Sequence, residues 1–507
     1  MVKDIEKEAI GFIKLDPGMG ELGPTECMMA SVKDIKLERG TYVKITEGGN
    51  QFYVGQIIDG PYFIDSGRGQ FETVYKVELN ASIQDGLQTV VLDRPTPKTQ
   101  VYFLDEKTLH EFLGMTGNLT IGRLATHEMM KVKMNSAVLT RHMGIFGTTG
   151  SGKSNTIQTL MEEAHKDGFA VLAFDIEGEY VMMDEPTESL TDLLSKFGYK
   201  PEGVKDFEVY VPYPSTSGRD NPKKFAISFK DVDRNVFSEV AGLNRMEQLY
   251  FLDLIDKVES VAPKFRKIEL EAVIDRLRGR LRAQADNPTM PGYIAEAHTS
   301  LYSKLMIISG LGIVDTNAKS IDASNILLPG KISVVDISDA SNAVRNIVIA
   351  NLLDSVFKYK MTHPDTPRLL IILEEAHAFI SKQRRDDMMA TLSFLLEIAR
   401  RGRKRGICLG IVTQQPGHLP SELLELCNLR VMHRMSSLAN IQALEESTGG
   451  VPESLWKILP SLGQGESIIA SPEYTRGIIA QIRPVAAKRL EYEYLRSRAL
   501  SAEAVKT

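Results

Sequence analysis

The sequence predicts an α/β fold: a parallel sheet covered by helices on both faces, interrupted by a helical insertion and preceded by a small N-terminal β-barrel. Three observations carry this reading. Apolar runs such as LLIIL, Leu369 to Leu373, are too uniformly hydrophobic for a strand with one wet face and read as strands buried on both sides. Such runs alternate with helical sequence, the pattern of parallel sheets. Before about residue 130, by contrast, short alternating segments are punctuated by glycine, as in TYVKITEGGNQFYVGQIIDG, where Glu47 to Asn50 reads as a hairpin turn.

Length and composition set the frame. At 507 residues the chain exceeds one hydrophobic core and predicts two or three domains. Hydrophobic residues at 43%, charged residues at 25% and a net charge of −6 argue against a surface coated in basic charge, while leaving a local basic lining open. Cys27, Cys408 and Cys427 are widely separated, which fits a reducing compartment and offers no zinc framework. The opening MVKDIEKEAIGFIKL is charged where a secretory signal needs an apolar core, and no run approaches the ~18 apolar residues of a membrane span. A cytoplasmic protein with no membrane partner is expected.

The elements follow in order. Residues 1–130 form the barrel. A first part of the α/β core, 131–234, opens with AVLTRHMGIFG, a strand entering a glycine loop, followed by a helix from Lys153 to Lys166 and the buried strand FAVLAFDIEGEY, Phe169 to Tyr180. Residues 235–311 are almost continuously helical in pattern and read as an insertion. The second part of the core, 312–485, carries KISVVDIS, RLLIILEEAH, GICLGIVTQQP and LRVMHRM. The end, 486–507, reads as a charged helical arm.

The chemistry concentrates in two motifs. Gly147-Thr148-Thr149-Gly150-Ser151-Gly152-Lys153-Ser154 is a full Walker A sequence between a strand and a helix. Its glycines let backbone N–H groups approach phosphates, the helix start adds its positive dipole end, Lys153 reaches the β- and γ-phosphates, and the Ser154 hydroxyl ligates Mg²⁺. Asn155 completes the expected nucleotide-binding stretch. LLIILEEAH ends a strand in paired acids at the carboxyl edge of the sheet, where ligands bind. Glu374 takes the position that orients the metal, and Glu375 that which polarises the attacking water. ATP and Mg²⁺ are therefore the expected cofactors, and hydrolysis is expected rather than binding alone.

Other candidates are less specific. Asp175, with Glu177 and Glu179 in FDIEGEY, reads either as an acid facing the γ-phosphate or as a loop cap, and Asp175 is the one selected. Gln414 reads either as a γ-phosphate sensor or as a turn residue. Arg400, in ARRGRKRG, and Arg141, before the glycine-loop strand, are candidates for an arginine that completes a neighbouring subunit's site; the alternatives are a helix-end charge and a simple salt bridge. His127 and Glu128 begin an HExxH-like stretch, but Lys131 stands where the second histidine belongs, which excludes a zinc protease.

TRHMGIFGTTGSGKSNT, FDIEGEY, LLIILEEAHAFI, IARRGRKRGI and IVTQQP, in this order and spacing, resemble the HerA family of archaeal DNA translocases, in the HerA–FtsK branch of RecA-like P-loop ATPases. The resemblance implies a RecA-like core, a homo-hexameric ring threaded by duplex DNA, and a NurA-type nuclease partner in DNA end resection and break repair. Where many relatives carry Asp-Glu, this chain has Glu374-Glu375. Candidate DNA-facing groups are Lys382, Arg384 and Arg385, Arg403 to Arg405, and the run Arg276 to Arg282, each of which also reads as a solvated face. One tryptophan and no aromatic interleaving argue for phosphate contact rather than base stacking. Two other readings remain open: a conjugation or secretion ATPase, and an ATP-controlled assembly platform for a nuclease.

Overall fold

The computed structural model of the chain describes residues 8–14, 22–32, 35–48, 51–65, 71–261, 269–285, 291–316, 318–378, 380 and 389–490. The candidate DNA-facing residues Lys382, Arg384 and Arg385 lie outside them. The chain divides into two compact units. One comprises Met1–Met134, Gly450–Ile458 and Glu473–Gln481; the other comprises Asn135–Gly449, Leu459–Pro472 and Ile482–Thr507.

In the first unit the strands are β1 (Gly11–Ile13), β2 (Glu26–Ser31), β3 (Tyr42–Gly48), β4 (Gln51–Asp65), β5 (Phe71–Gln84), β6 (Leu87–Thr89) and β7 (Gln100–Phe103). They run in the order β2-β1-β7-β3-β4-β5-β6, and β2 also pairs with β5, which closes six of them into a barrel. Its interior is filled by Ile13, Met29, Val43, Ile45, Tyr53 and Val77, contributed at alternating positions as strand periodicity requires. The barrel ends at β7, earlier than the sequence suggests. The helix Glu106–Leu113 follows, capped by Asp105, and then β8 (Leu119–Leu124) and β9 (His127–Met134), which lie outside the barrel and stand next to the late strand Ile478–Ile482 in strand order. His127 therefore lies on a strand, which further separates it from a helical zinc motif.

The second unit carries the large sheet. Its strands are β10 (Met143–Phe146), β11 (Ala170–Asp175), β12 (Phe207–Pro212), β13 (Lys223–Phe225), β14 (Ile332–Asp336), β15 (Leu369–Leu373), β16 (Ile407–Thr413), β17 (Leu429–His433) and β18 (Glu466–Ala470). The order is β13-β12-β14-β11-β15-β16-β10-β17-β18. All neighbours are parallel except β17 and β18. Every residue of β10, β11, β14, β15, β16 and β17 is buried, as expected of strands covered on both faces. Because β10, β15 and β16 are parallel neighbours, the glycine loop, the paired acids and Gln414 all emerge at one edge.

Helices Arg234–Val240, Arg245–Val261, Leu270–Ala285 and Gly292–Gly310 make up the insertion. The rings of Phe229, Phe237 and Phe251 fasten its base, with Phe237 stacked on Phe251 at 5.2 Å. Two arginines of its basic run are paired within it: Arg278 bonds Asp275 and Arg280 bonds Asp253. The expected C-terminal arm is corrected over its first residues. Residues 486–490 are not helical, because their backbone N–H groups are bonded sideways: Ala486 and Ala487 donate to Glu162 Oε1 at 2.8 and 2.7 Å, and Leu490 donates to the Glu179 carbonyl. The remainder, 491–507, lies outside the described residues. No described helix is long and apolar enough to cross a membrane.

Candidate nucleotide site

The glycine loop is built to hold its own backbone open. Gly147 has φ +156°, and a Cβ there would meet Ser151 Oγ at 2.6 Å and His433 Cβ at 2.7 Å, so only glycine fits between the loop and β17. Gly152, at φ +117°, caps the helix Lys153–Lys166, and no side chain satisfies the first helical N–H groups. Those free donors and the helix dipole form an anion cradle. Ser151 Oγ donates to the Thr148 carbonyl at 2.7 Å, and Lys153 Nζ donates to the same oxygen at 3.2 Å. Burial pulls the Lys153 ammonium below its ordinary value, against the opposing pull of Glu375, Glu374, Glu179 and Glu177.

A second layer, missed by the sequence reading, props the loop from the far side. Thr148 N and Oγ1 both donate to the Arg434 carbonyl, at 3.0 and 3.1 Å, and Gly465 N donates to the Ser151 carbonyl. His433 Nδ1 faces only the Glu466 carbonyl, 2.9 Å away, so it carries the proton, and Nε2 accepts from Thr156 Oγ1 at 2.8 Å. Burial pushes the imidazole down to about 4; the Lys153 charge adds to the effect and the Glu466 carbonyl opposes it. His433 is thus a neutral strut between β17, β18 and the Walker helix.

Glu375 ends β15 in the left-handed region, at φ +41°, a conformation that costs a non-glycine residue roughly 1–3 kcal/mol and concentrates at functional sites. Its Oε1 accepts from Gln414 Nε2 at 2.7 Å, and Gln414 Oε1 accepts from Thr149 Oγ1 at 2.7 Å. One chain of hydrogen bonds therefore runs from the crest of the glycine loop through Gln414 to the paired acids. Glu375 Oε2 lies 3.2 Å from His377 Nδ1 and is buried without a hydrogen bond. Burial raises the Glu375 carboxyl, but His377, Gln414 and the Lys153 charge outweigh it and hold the group below its ordinary value. This is a carboxylate poised in its ionised, proton-accepting form.

Glu374 and Asp175 face inward. Glu374 accepts from Tyr180 OH at 2.7 Å on Oε1, and from Ile176 N and Glu177 N at 3.3 and 3.4 Å on Oε2. Burial pushes it up to about 7, and the charge of Glu179 adds to this. Asp175 is fully buried and accepts from Gly178 N, Glu179 N and Tyr180 N. Its carboxyl is driven well above the ordinary range by burial and then by Glu374 and Asp336. Of the two readings of Asp175 the loop cap is the one observed; its oxygens shape the turn and do not open onto the pocket. Asn155 is likewise corrected: its amide donates to the Arg483 carbonyl and accepts from Val485 N, both at 2.8 Å, so the side chain holds the C-terminal segment and not a nucleotide.

Arg141 and Arg400 stand together at the opposite edge of the sheet. Arg141 precedes β10 whereas the glycine loop follows it, a separation of about 13 Å along four strand residues. His142 accepts from Leu409 N on Nδ1 and donates from Nε2 to the Ala399 carbonyl at 2.9 Å, joining the two arginine-bearing segments. Arg400 is 61% exposed in a 2.7 Å pair with Glu422, and a pair in that much solvent is readily exchanged.

No cage of three His, Cys, Asp or Glu side chains is present among the described residues. Magnesium does not require one, since it keeps several waters and binds through one or two protein groups and the substrate's phosphates. Two buried carboxylate oxygens without hydrogen bonds, Glu375 Oε2 and Glu179 Oε2, make the donor set fit such a cation.

A phosphate cradle on a helix start, an ionised acid at the neighbouring strand end and a polar relay between them define a P-loop ATPase. Residues 119–356 match the family model described as the central domain of helicase HerA. The chain is 26% identical over 416 residues to the probable DNA double-strand break repair helicase HerA of Methanocaldococcus jannaschii, spanning 76% of this chain and 80% of that one. It is 25% identical over 371 residues to the DNA double-strand break repair helicase HerA of Saccharolobus solfataricus, spanning 72% and 68%. The fold is similar to plasmid coupling protein TrwB in complex with ADP and Mg²⁺, with a TM-score of 0.50 and 16% identity over 77% of this chain and 93% of that one. The chain is thus similar to the HerA-type P-loop ATPases over about three quarters of its length.

Proposed function

We propose that this ATPase is a motor on duplex DNA: a ring of identical chains, six by the family resemblance, that hydrolyses MgATP at seams between copies and moves duplex through its pore, working in the cytoplasm with a NurA-type nuclease at broken DNA ends. The observation that carries the reading is the position of Arg141 and Arg400. They lie a strand's length from their own glycine loop, so the charge they offer is available to another copy and not to their own nucleotide. A head-to-tail arrangement, which closes into a ring, brings one chain's strand-start edge to the next chain's strand-end edge.

In this site Lys153 and the loop amides hold the β- and γ-phosphates, and Glu375 accepts the proton of the attacking water. Gln414 and Thr149 report occupancy of the loop to that base, and a neighbour's arginine offsets the charge on the transferring phosphate. The Ser154 hydroxyl and an acid of the Glu374 group would hold Mg²⁺, which would supply neutralising charge for the phosphates. The names of the HerA relatives, both DNA double-strand break repair helicases, support DNA as the cargo over a secreted protein. The test is ATP hydrolysis with and without duplex DNA in wild type, Lys153→Ala and Glu375→Gln. DNA stimulation of the wild type, lost in both variants, is expected; hydrolysis indifferent to DNA overturns the motor reading.

A further inference from the structure

The loop FDIEGEY contains three acids, and the structure sorts them. Asp175 is fully buried with both oxygens bonded to loop amides, and Glu177 is exposed. Glu179 is different: its carbonyl accepts from Leu490 N at 3.1 Å, while its side chain has a buried oxygen, Oε2, that accepts no hydrogen bond. It is close enough for its charge to act on both Lys153 and Glu374. A buried carboxylate oxygen with no partner carries a desolvation cost of about 1–3 kcal/mol, so it marks a position completed by something else. Glu374, the acid that the sequence assigns to the metal, already accepts three hydrogen bonds, from Tyr180, Ile176 and Glu177.

We infer that Glu179 is the carboxylate that orders a water of the nucleotide-bound magnesium ion, and that Glu374 acts behind it as a positioning residue. Glu374 holds Tyr180 and the turn in place; the turn in turn presents Glu179. The two unbonded oxygens then divide the work: Glu375 Oε2 is left for the attacking water and Glu179 Oε2 for the metal's hydration shell. Unlike Glu374, Glu179 can be relieved of its uncompensated burial by a hydrated cation without first giving up a protein hydrogen bond.

The inference rests on the glycine loop holding a nucleotide, and the experiment separates the two. Binding of a fluorescent, non-hydrolysable ATP analogue is titrated with Mg²⁺, and Mn²⁺ bound to the complex is followed by electron paramagnetic resonance, in wild type, Glu179→Gln and Glu179→Asp. Expected is an Mg²⁺ half-saturation at least tenfold higher in Glu179→Gln, altered water-proton coupling of the Mn²⁺ signal, unchanged analogue binding in excess chelator, and an intermediate shift in Glu179→Asp. An Mg²⁺ half-saturation within twofold of wild type in both variants overturns the assignment, whatever happens to hydrolysis. Absence of any analogue binding by wild type defeats the reading of the nucleotide site itself.

Discussion

Replacing Gln414 by Ala removes two hydrogen bonds of 2.7 Å, one accepted from Thr149 and one donated to the ionised Glu375. The bond to a charged group is worth roughly 1.5–3 kcal/mol and the neutral one about 1 kcal/mol. Glu375 sits in a strained backbone conformation and has few other anchors, so the loss falls on the placement of the proposed base. The bond to Glu375 alone, at about 1.4 kcal/mol per factor of ten, lowers kcat for ATP hydrolysis by roughly 10- to 100-fold. KM changes little, because the phosphate cradle of loop amides and Lys153 is untouched. The pH profile supplies a second sign. The Gln414 bond helps hold the Glu375 carboxyl below its ordinary value, so its removal raises that value and moves the acid limb of the kcat profile to higher pH. Steady-state kinetics from about pH 3.5 to 8 on both proteins measure each effect. A variant with wild-type kcat and an unmoved acid limb would show that Gln414 is only a turn residue and that the relay has no catalytic meaning.

Other expectations follow from the same geometry. Arg483→Met removes the buried guanidinium that bonds Glu162 and Glu163 at 2.8 and 2.9 Å and leaves Glu162 without an ion-pair partner, so unfolding by denaturant should show a loss of about 3–5 kcal/mol; a loss under 1 kcal/mol contradicts the strut role of the C-terminal segment. His433 has a folded value near 4, below its unfolded value, so the unfolded state binds more protons as pH falls. Its contribution is complete above about pH 6.5 and is lost on descent toward 4, by up to roughly 3 kcal/mol, and a His433→Gln protein should show a correspondingly flatter stability profile across that window. Gly147→Ala should abolish nucleotide binding, because the new Cβ falls within 2.7 Å of Ser151 Oγ and His433 Cβ; near-normal affinity by calorimetry would refute the loop's packing.

Much of this site is legible in the sequence. The helix Lys153–Lys166 and strand Leu369–Leu373 coincide with the sequence reading, since glycine punctuation and uniform apolar runs are local signals that tertiary structure has no reason to override. What the sequence could not show is which polar groups are spent. Asp175 and Asn155 stand where phosphate ligands are expected, yet both are used up by backbone amides, three of them in the turn after Asp175 and one from Val485, 330 residues away from Asn155. His433 and the loop at Gly465 were missed for the same reason: nothing in LRVMHRM or LGQGES indicates that they meet across the glycine loop. The non-helical course of residues 486–490 is also a tertiary effect, since Glu162 on the Walker helix captures the amides that a helix there would need.

The central claim, that hydrolysis needs a second copy, is tested most directly by measuring ATPase activity per chain as the protein is diluted, with mass determined in the same samples by sedimentation. Activity per chain that falls as the assembly dissociates, and that is regained when Lys153→Ala chains are mixed with chains carrying Arg141→Ala and Arg400→Ala, is the predicted result. A monomer hydrolysing ATP at the full rate at every concentration contradicts it.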